Sequence, residues 1–303
     1  MPATPGSLTL IPVADEAAGP YALTLGPDGA LWFTLVHAGA IGRLAPDGRS
    51  GAERRVDIHP LDAADCSPSV ITPGPDGALW FTRAGDDRIG RIDTVGRATS
   101  FPLPTPGAAP FGIVAGPDGA LWFTESAADR VGRITVDGRV DAFPLPLSGA
   151  FPAAIVAWRG ALWCTLNQAD ALARITPDGE ITTHPLPTAG AAPVGLTVDA
   201  GGEALWCVEI GAGQVARMTA DGRVDEFPLP DRECRPHAIV AGPDGRCWFT
   251  EWGTAALGAI DRAGRVEEFP LGDPSYEPHG LAFDAEGVPH AALEVGLLAR
   301  YRP

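Results

Sequence analysis

The stretch from Pro110 to Pro146 reads "PFGIVAGPDGALWFTESAADRVGRITVDGRVDAFPLP". It contains four short runs rich in apolar or aromatic residues, which are "FGIVAG", "ALWFTE", "RVGRIT" and "VDAFPLP". The turn sequence "GPDG" (116–119) separates the first two runs, and "DG" (137–138) separates the last two. Such sequences favour tight turns because Pro fixes φ and Gly accepts a positive φ. Helical periodicity is absent, so the stretch predicts four short antiparallel strands.

This unit recurs seven times, and the prolines that open successive copies are 41 to 48 residues apart. They are Pro20, Pro68, Pro110, Pro152, Pro193, Pro236 and Pro278. A period of about 40 to 45 residues with four strands is that of a β-propeller blade. One blade buries little apolar surface by itself, whereas seven packed radially bury both faces of every sheet. We therefore predict an all-β fold, a seven-bladed β-propeller of four-stranded antiparallel blades, in which residues 1–303 form a single domain.

Two further features predict how the blades pack and how the ring closes. The tryptophan of "LWF" is interpreted as the residue that packs one blade against the next. It recurs as Trp32, Trp80, Trp122, Trp163, Trp206 and Trp248. The seventh copy ends after its third strand, while "SLTLIPV" (residues 7–13) resembles the outer strands of the other copies. We expect this N-terminal segment to complete blade seven and to close the ring.

Composition argues against several classes of partner. The formal charge is -16 and every basic residue is an arginine, so the surface should repel phosphate backbones and anionic lipid headgroups. Nucleic-acid and membrane partners are therefore not expected. The five cysteines are odd in number and lack metal-site spacing, which fits a reducing cytoplasm. Without a signal-peptide pattern or a run of about 18 apolar residues, the sequence predicts a soluble, cytoplasmic monomer.

Chemistry-bearing residues concentrate at one end of the predicted blades. Antiparallel pairing should bring the residue after each opening proline beside the residue that follows "WFT", so that both sets ring one mouth of the central channel. After the proline, blades six and seven carry His237 and His279, and blade one carries Tyr21. Only blade seven has a carboxylate, that of Glu277, directly before its proline.

The strand-end positions add further carboxylates to this mouth. Blade seven has Glu294 at its strand end if its turn holds one extra residue. One sector of the mouth would then hold Tyr21, His237, Glu251, Trp252, Glu277, His279 and Glu294. The recurrent strand-end glutamates, for which a structural role is favoured, are Glu125, Glu209 and Glu251. The histidines outside this register, which are assigned no role, are His37, His59, His184 and His290.

The grouped carboxylates and imidazoles allow two kinds of chemistry. Glu277 and Glu294 would supply the hard oxygen ligands that Mg²⁺ prefers. A carbonyl polarised by the metal acidifies the neighbouring C–H, and His279 would then remove that proton, which is lyase chemistry. With the same groups, a metal-activated water would instead give a lactonase or an esterase. The sequence contains no "GxSxG" elbow and no Cys/His arrangement, so it does not suggest a covalent acyl-enzyme.

Taken together, the motifs resemble those of the virginiamycin B lyase (streptogramin B lyase) family. The repeated unit "GPDGALWFTE...DRIGRI...GR...FPLP" is shared among lyase-like propellers. More specific are "GPYALT" in blade one, "RPHAIVAG...WFTEWG" in blade six and "EPHGLAFD" in blade seven. The resemblance covers nearly the whole chain. It implies a seven-bladed propeller that linearises cyclic depsipeptide antibiotics, the type B streptogramins, by Mg²⁺-dependent elimination at the ester bond, and that confers resistance.

Carried over by motif, the resemblance implies a role for each residue of the mouth. His279 of "EPHG" is implied to be the general base or acid, and Glu277 before its proline to serve the metal. Glu294 is implied to be catalytic or a metal partner, and His237 of "RPHA" to contact substrate or metal. The positions that line the family's substrate cleft are matched by Tyr21 and Trp252.

The chain also departs from the family pattern in two blades. Blade seven has "VPHAALE" (288–294) where the family has a Trp-Phe pair before its glutamate. Blade one has "LVH" (35–37) where the family places a polar residue and then a histidine, so no role is transferred to His37. Two alternatives therefore stay open: a lactone hydrolase of the gluconolactonase-like propellers, and a propeller that serves as a non-enzymatic binding platform. Product analysis separates the hydrolase from a lyase. The intact set of Glu277, His279 and Glu294 argues against the platform, and absence of metal binding would argue for it.

Overall fold

The computed structural model describes residues 6–46 and 54–303. Within these ranges the strands form seven antiparallel sheets of four strands each, which confirms the β-propeller predicted from the repeats. The helical elements of the described residues are two 3₁₀ turns, Glu16–Ala18 and Asn167–Ala169. Neither is long and apolar enough to cross a membrane.

Each blade runs from an inner strand at the central channel to an outer strand at the rim. The strands are β1 (Ser7–Pro12); in blade one β2 (Pro20–Leu25), β3 (Leu31–Leu35), β4 (Ala40–Leu44) and β5 (Val56–Pro60); in blade two β6 (Pro68–Pro73), β7 (Leu79–Arg83), β8 (Arg88–Ile92) and β9 (Ala98–Pro102); in blade three β10 (Pro110–Ala115), β11 (Leu121–Glu125), β12 (Arg130–Ile134) and β13 (Val140–Pro144); in blade four β14 (Pro152–Trp158), β15 (Ala161–Leu166), β16 (Ala171–Ile175) and β17 (Ile181–Pro185); in blade five β18 (Pro193–Val198), β19 (Ala204–Glu209), β20 (Gln214–Thr219) and β21 (Val224–Pro228); in blade six β22 (Pro236–Ala241), β23 (Cys247–Glu251), β24 (Ala256–Ile260) and β25 (Val266–Pro270); and in blade seven β26 (Pro278–Phe283), β27 (Pro289–Leu293) and β28 (Leu297–Arg302).

The ring closes between β1 and β28. The two strands pair antiparallel over the whole length of β1, from Ser7 opposite Arg302 to Pro12 opposite Leu297. The sheet that results has the strand order β1-β28-β27-β26, so the N-terminal strand is the outer strand of blade seven. The closure predicted from "SLTLIPV" is confirmed.

The repeated "GPDG" turn also holds the tryptophan of its blade. In blade three the N–H of Gly116 donates to the carbonyl of Ala120 at 2.7 Å, and Gly119 adopts a positive φ of 75°. The carboxylate of Asp118 accepts the indole N–H of Trp122 at 3.0 Å. The turn therefore satisfies the one polar group of a large side chain that is otherwise fully buried.

The tryptophans pack neighbouring blades together, as predicted. Trp122 of blade three lies in one apolar cluster with Ile155 of blade four, and it stacks on Phe143 of its own outer strand at 5.4 Å. The hydroxyl of Thr124 adds a directional link, because it donates to the backbone carbonyl of Ala153 in blade four at 2.7 Å. Truncation of a buried aromatic residue of this kind to alanine typically costs about 3 to 5 kcal/mol. Blade packing is therefore a main source of stability.

Three of the histidines without an assigned role have structural contacts. His59 and His184 take the phenylalanine position of their outer strands, where their rings lie 5.7 Å from Trp32 and 4.9 Å from Trp163. Burial lowers the pKa of both rings, which favours the neutral form. His290 is fully buried at the tryptophan position of blade seven, where its Nδ1 lies 3.1 Å from a backbone carbonyl of the preceding turn.

The inner strands surround a cavity of about 180 Å³ on the propeller axis. Its aliphatic walls include Leu23, Ile71, Ile113, Ile155, Leu196 and Leu281. Tyr21, Phe111 and His237 also line it, and the rings of Tyr21 and Phe111 lie 6.2 Å apart although they belong to blades one and three. Residues that follow the opening prolines therefore gather at the channel, as the repeat alignment predicts.

The strand-end glutamates do not ring this mouth. Glu125, Glu209 and Glu251 are at most 1% exposed. Glu209 accepts a hydrogen bond from the Gln214 amide at 2.5 Å, and Glu251 accepts one from the Thr254 hydroxyl at 2.8 Å. The expectation that Glu251 joins the mouth sector is wrong, because its side chain is engaged inside its own blade.

Residues 1–14 contain β1, and their deletion should open the ring. The edge of β28 would be left unpaired, and the apolar side chains of β1 would lose their place in the blade-seven cluster. We expect aggregation or a large fall in melting temperature, measured by size-exclusion chromatography and calorimetry. A control that lacks only residues 1–5, which precede β1, should melt like the parent. A protein without residues 1–14 that melts like the parent would rule out this closure.

Two buried glutamates, Glu209 and Glu251, should make stability depend on pH. Burial raises the pKa of Glu209 and Glu251 to about 7, whereas the ordinary carboxyl value is 4.5. At these two groups the folded protein therefore keeps protons that the unfolded chain releases, and their contribution to the free energy of unfolding falls as the pH rises from about 4.5 to about 7.

Thermal melts at about pH 5 and about pH 8 test this dependence. Replacing both glutamates by glutamine should raise the melting temperature at about pH 8 relative to that at about pH 5, because the contribution that falls with pH is removed. The matched control is the exposed Glu180→Gln, which should keep the parental difference. Parental pH dependence in the double variant would show that these two groups do not cause it.

Candidate active site

Two positions at the mouth of a blade are joined by a backbone hydrogen bond. In blade seven the N–H of Glu294 donates to the carbonyl of Glu277 at 3.3 Å, and in blade six the N–H of Trp252 donates to that of Arg235 at 3.2 Å. The residue before the opening proline thus lies beside the first residue after the second strand. In blade seven both positions carry a carboxylate.

The place of Glu294 corrects the alignment of blade seven. Pro278 pairs with Leu293, just as the opening proline of blade six pairs with Glu251, so Leu293 is the strand-end residue. Glu294 is the first residue beyond the strand and is equivalent to Trp252. The expected extra residue in the turn is wrong, because this turn closes with the same length as the turn of blade six.

Glu277 differs from its counterparts in backbone conformation. In the other six blades the residue before the proline has a left-handed φ, at Gly19 (64°), Ser67 (46°), Ala109 (45°), Phe151 (50°), Ala192 (47°) and Arg235 (50°). Glu277 has a negative φ. The backbone of the loop that enters blade seven therefore differs at this residue from the loops that enter the other blades.

Glu277, His279 and Glu294 form a compact group of potential metal ligands. One ligand atom from each residue lies within 4.8 Å of the other two. Nε2 of His279 lies 3.0 Å from Oε2 of Glu294. His279 is buried, whereas both glutamates are half-buried and remain accessible to a ligand. Two carboxylates fit the oxygen preference of Mg²⁺, which usually takes one or two protein carboxylates and completes its shell with water and substrate.

A fourth residue of this group, His37, was missed by the sequence analysis. Its Nε2 lies 2.8 Å from Oε1 of Glu294, so the carboxylate is held between an imidazole of blade one and an imidazole of blade seven. Glu294 is the first residue beyond its strand and His37 is the second beyond β3. Because of this offset, an alignment of the repeats does not place His37 at the position of Glu294. The signal that could have found it is its place on the blade that adjoins blade seven once the ring closes.

The environments of these groups shift their pKa values in opposite directions. Partial burial opposes ionisation of Glu294, but hydrogen bonds from His37 and His279 and the charge of His279 outweigh it and lower the pKa to about 2. Burial, with the charge of His279, lowers the pKa of His237 to about 3. Burial and the charge of Glu294 raise the pKa of Tyr21. At neutral pH Glu294 is therefore ionised, whereas His237 and Tyr21 are uncharged.

The remaining predicted residues surround His279 with rings. The ring centroid of His279 lies 4.8 Å from that of Tyr21, 5.0 Å from that of His237 and 6.1 Å from that of Trp252. The hydroxyl of Tyr21 lies 3.4 Å from Nε2 of His237. The guanidinium of Arg235 lies over the Trp252 ring at 5.3 Å. The structure thus brings six of the seven residues expected in the mouth sector together, and Glu251 is the exception.

Comparison with known families matches the virginiamycin B lyase family over residues 6–301. The chain belongs to this family. The matched range spans all seven blades and includes every residue of the sector described above.

Curated members of the family align with short segments of the chain. The virginiamycin B lyase of Streptomyces coelicolor is 59% identical over 49 residues, which is 16% of this chain and 15% of that protein. That of Saccharopolyspora erythraea is 64% identical over 42 residues, or 14% of each. The aligned part is therefore less than a fifth of these relatives.

Solved structures of the family match over the whole length. A streptogramin B lyase structure has a TM-score of 0.91 at 36% identity and covers 98% of this chain and 97% of that one. The virginiamycin B lyase of Staphylococcus aureus has a TM-score of 0.92 at 37% identity, with 98% and 99% covered. A catalytically inactive histidine-to-alanine variant of the Staphylococcus aureus enzyme, solved with quinupristin, has a TM-score of 0.92 at 36% identity over the same shares.

Proposed function

We propose that the protein is a Mg²⁺-dependent carbon-oxygen lyase that linearises type B streptogramins by elimination at the ester bond and so confers resistance. The observation that carries this proposal is the grouping of Glu277, His279 and Glu294, with ligand atoms within 4.8 Å of one another. It is supported by full-length similarity to a lyase that was solved with quinupristin.

Glu277 and Glu294 are the residues that would hold the metal ion. Both carboxylates are half-buried, and Glu294 stays ionised at neutral pH because its pKa is lowered to about 2. Mg²⁺ bound there would polarise a substrate carbonyl and acidify the C–H beside it. The -16 charge of the chain also favours a cation over an anionic cofactor.

His279 is the group placed to transfer the proton. In its neutral form the imidazole accepts the proton from the carbon next to the carbonyl, at the ring nitrogen that does not donate to Glu294, and the C–H electron pair becomes a C=C double bond. The bond between the β-carbon and the ester oxygen breaks, and the former ester leaves as a carboxylate. Glu294, with Oε2 at 3.0 Å from Nε2, stabilises the imidazolium that forms. No water is consumed, so the product is an isomer of the substrate.

His237, Tyr21 and Trp252 are proposed to bind the substrate rather than to transfer protons. The lowered pKa of His237 keeps its ring neutral, and the raised pKa of Tyr21 keeps its hydroxyl protonated. Together with the indole of Trp252 they offer an uncharged, largely aromatic wall around His279. Such a wall suits the uncharged peptide and aromatic groups of a cyclic depsipeptide.

The protein is also proposed to act as a single-domain, cytoplasmic monomer. The group around His279 draws its residues from blades one, six and seven of one chain, so no second subunit is required to complete it. All five cysteines are buried and free, as expected of a protein kept in a reducing compartment.

The proposed activity is tested by mass spectrometry of a type B streptogramin incubated with the protein and Mg²⁺. We expect a linear product of unchanged mass, since elimination adds no atoms. Removal of divalent ions with EDTA should abolish turnover while the circular dichroism spectrum stays unchanged, and added Mg²⁺ should restore turnover. A gain of one water would identify a hydrolase instead. Full activity after exhaustive EDTA treatment would exclude the metal mechanism.

His279→Ala should reduce turnover by about 10²- to 10⁴-fold, the usual contribution of a positioned acid or base, with no change in secondary structure. His237→Ala should mainly raise KM, because His237 is proposed to contact substrate. Both variants should be measured near neutral pH at saturating Mg²⁺, after folding is verified by circular dichroism. Near-parental turnover of His279→Ala would show that another group transfers the proton.

A further inference from the structure

We propose that His37 is a positioning residue that fixes the carboxylate of Glu294 for both the metal and His279. This inference rests on the proposed function, since it concerns the same group of residues. The blade-one sequence does not give His37 a role by motif, and the inference comes from its contact with Glu294 at 2.8 Å.

The contact leaves the Glu294 carboxylate little freedom to turn. Its Oε1 lies 2.8 Å from Nε2 of His37, and its Oε2 lies 3.0 Å from Nε2 of His279. The last torsion of a glutamate side chain is broad, so a carboxylate held at one oxygen only can rotate. With Oε1 held by His37, Oε2 is directed at His279 and at the position between the two glutamates.

The backbone of His37 is itself fixed at the joint between blades. Its N–H donates to the carbonyl of Ala18 at 3.1 Å, and the N–H of Val36 donates to the carbonyl of Gly19 at 2.9 Å. The bond between Val36 and Gly19 is the blade-one counterpart of the bond between Glu294 and Glu277 in blade seven. His37 therefore reaches Glu294 from an anchored segment.

Gly19 leaves the space that the His37 ring occupies. A Cβ atom at Gly19 would lie 2.5 Å from Cδ2 of His37, which is closer than side-chain contacts allow. The left-handed φ of Gly19 also favours glycine, although Ala109 and Ala192 adopt the same region at the equivalent position of blades three and five. Glycine at this position leaves room for the His37 ring, which a side chain would displace.

An ordinary surface ion pair would predict different behaviour. The side chain of His37 is 55% exposed and that of Glu294 30% exposed, and exposed pairs of this kind contribute little to stability. A positioning role predicts an effect on metal affinity and on His279, with little effect on folding. Loss of a residue that orients a metal ligand typically costs about 10- to 100-fold in metal affinity or activity.

The test compares His37→Ala with His37→Gln and with Gly19→Ala. The glutamine amide can still donate to Oε1 of Glu294, while Gly19→Ala displaces the ring without removing it. The matched control is His59→Phe, which changes a histidine of the same blade to the residue found at this position in most blades. Three quantities are measured: the Mg²⁺ dissociation constant by calorimetry, kcat and KM at saturating Mg²⁺, and the ¹⁵N shifts of the His279 ring in metal-free, substrate-free protein.

We expect His37→Ala and Gly19→Ala to weaken Mg²⁺ binding about 10-fold or more and to lower kcat with KM nearly unchanged. Both should shift the His279 ring signals, and His37→Gln should restore most of each property. Parental Mg²⁺ affinity and parental His279 signals in His37→Ala would overturn the proposal, as would a glutamine variant as impaired as the alanine variant. If the parent shows no streptogramin turnover but its His279 signals respond to His37→Ala and recover in His37→Gln, the proposed function fails and the positioning role stands.

Discussion

The pairing of β1 with β28 is the interaction on which the candidate site depends. It completes blade seven, whose inner strand β26 packs against the inner strand β2 of blade one. His37 and Tyr21 come from blade one, whereas His279 and Glu294 come from blade seven. The four side chains therefore meet only after closure, and the rigidity of the joint determines how well they are held.

The surroundings of three glutamates shift their pKa values in opposite directions. Glu294 is half-buried and faces two imidazoles, so its pKa falls to about 2. Glu209 and Glu251 are buried and lie near the further carboxylates of Glu226 and Glu268, so their pKa values rise to about 7. Desolvation acts in the same direction on all three, and the neighbours decide the result. An ionised carboxylate is thus available at the mouth, while the two buried glutamates hold their protons up to a pH of about 7.

The main-chain geometry shared by the blades also allows the side chains of one sector to differ from those of the others without a change of fold. In blades one to four, six and seven a backbone hydrogen bond joins the residue before the opening proline to the first residue beyond the second strand. In blade six these two positions are occupied by Arg235 and Trp252, which stack. In blade seven they are occupied by the carboxylates of Glu277 and Glu294. Because the bond involves main-chain atoms, either side chain can change while the two positions stay adjacent.

The sequence by itself determined the number of blades, the turns, the role of the tryptophans and the strand that closes the ring. These features follow from local composition repeated at a fixed period, which is why a single unit such as 110–146 is enough to derive them. The register of the residue after each opening proline also placed His237, His279 and Tyr21 in one sector, since strand pairing around a short turn is a local constraint.

Only the tertiary structure decided the placement of the carboxylates and of His37. Glu294 lies one position beyond the predicted register, and Glu251 turns into its own blade, because burial and partners rather than alternation set the side-chain direction at a strand end. His37 contacts a residue 257 positions away along the chain. Closure of the ring creates this contact, so it cannot be inferred from the sequence repeat of the individual blades.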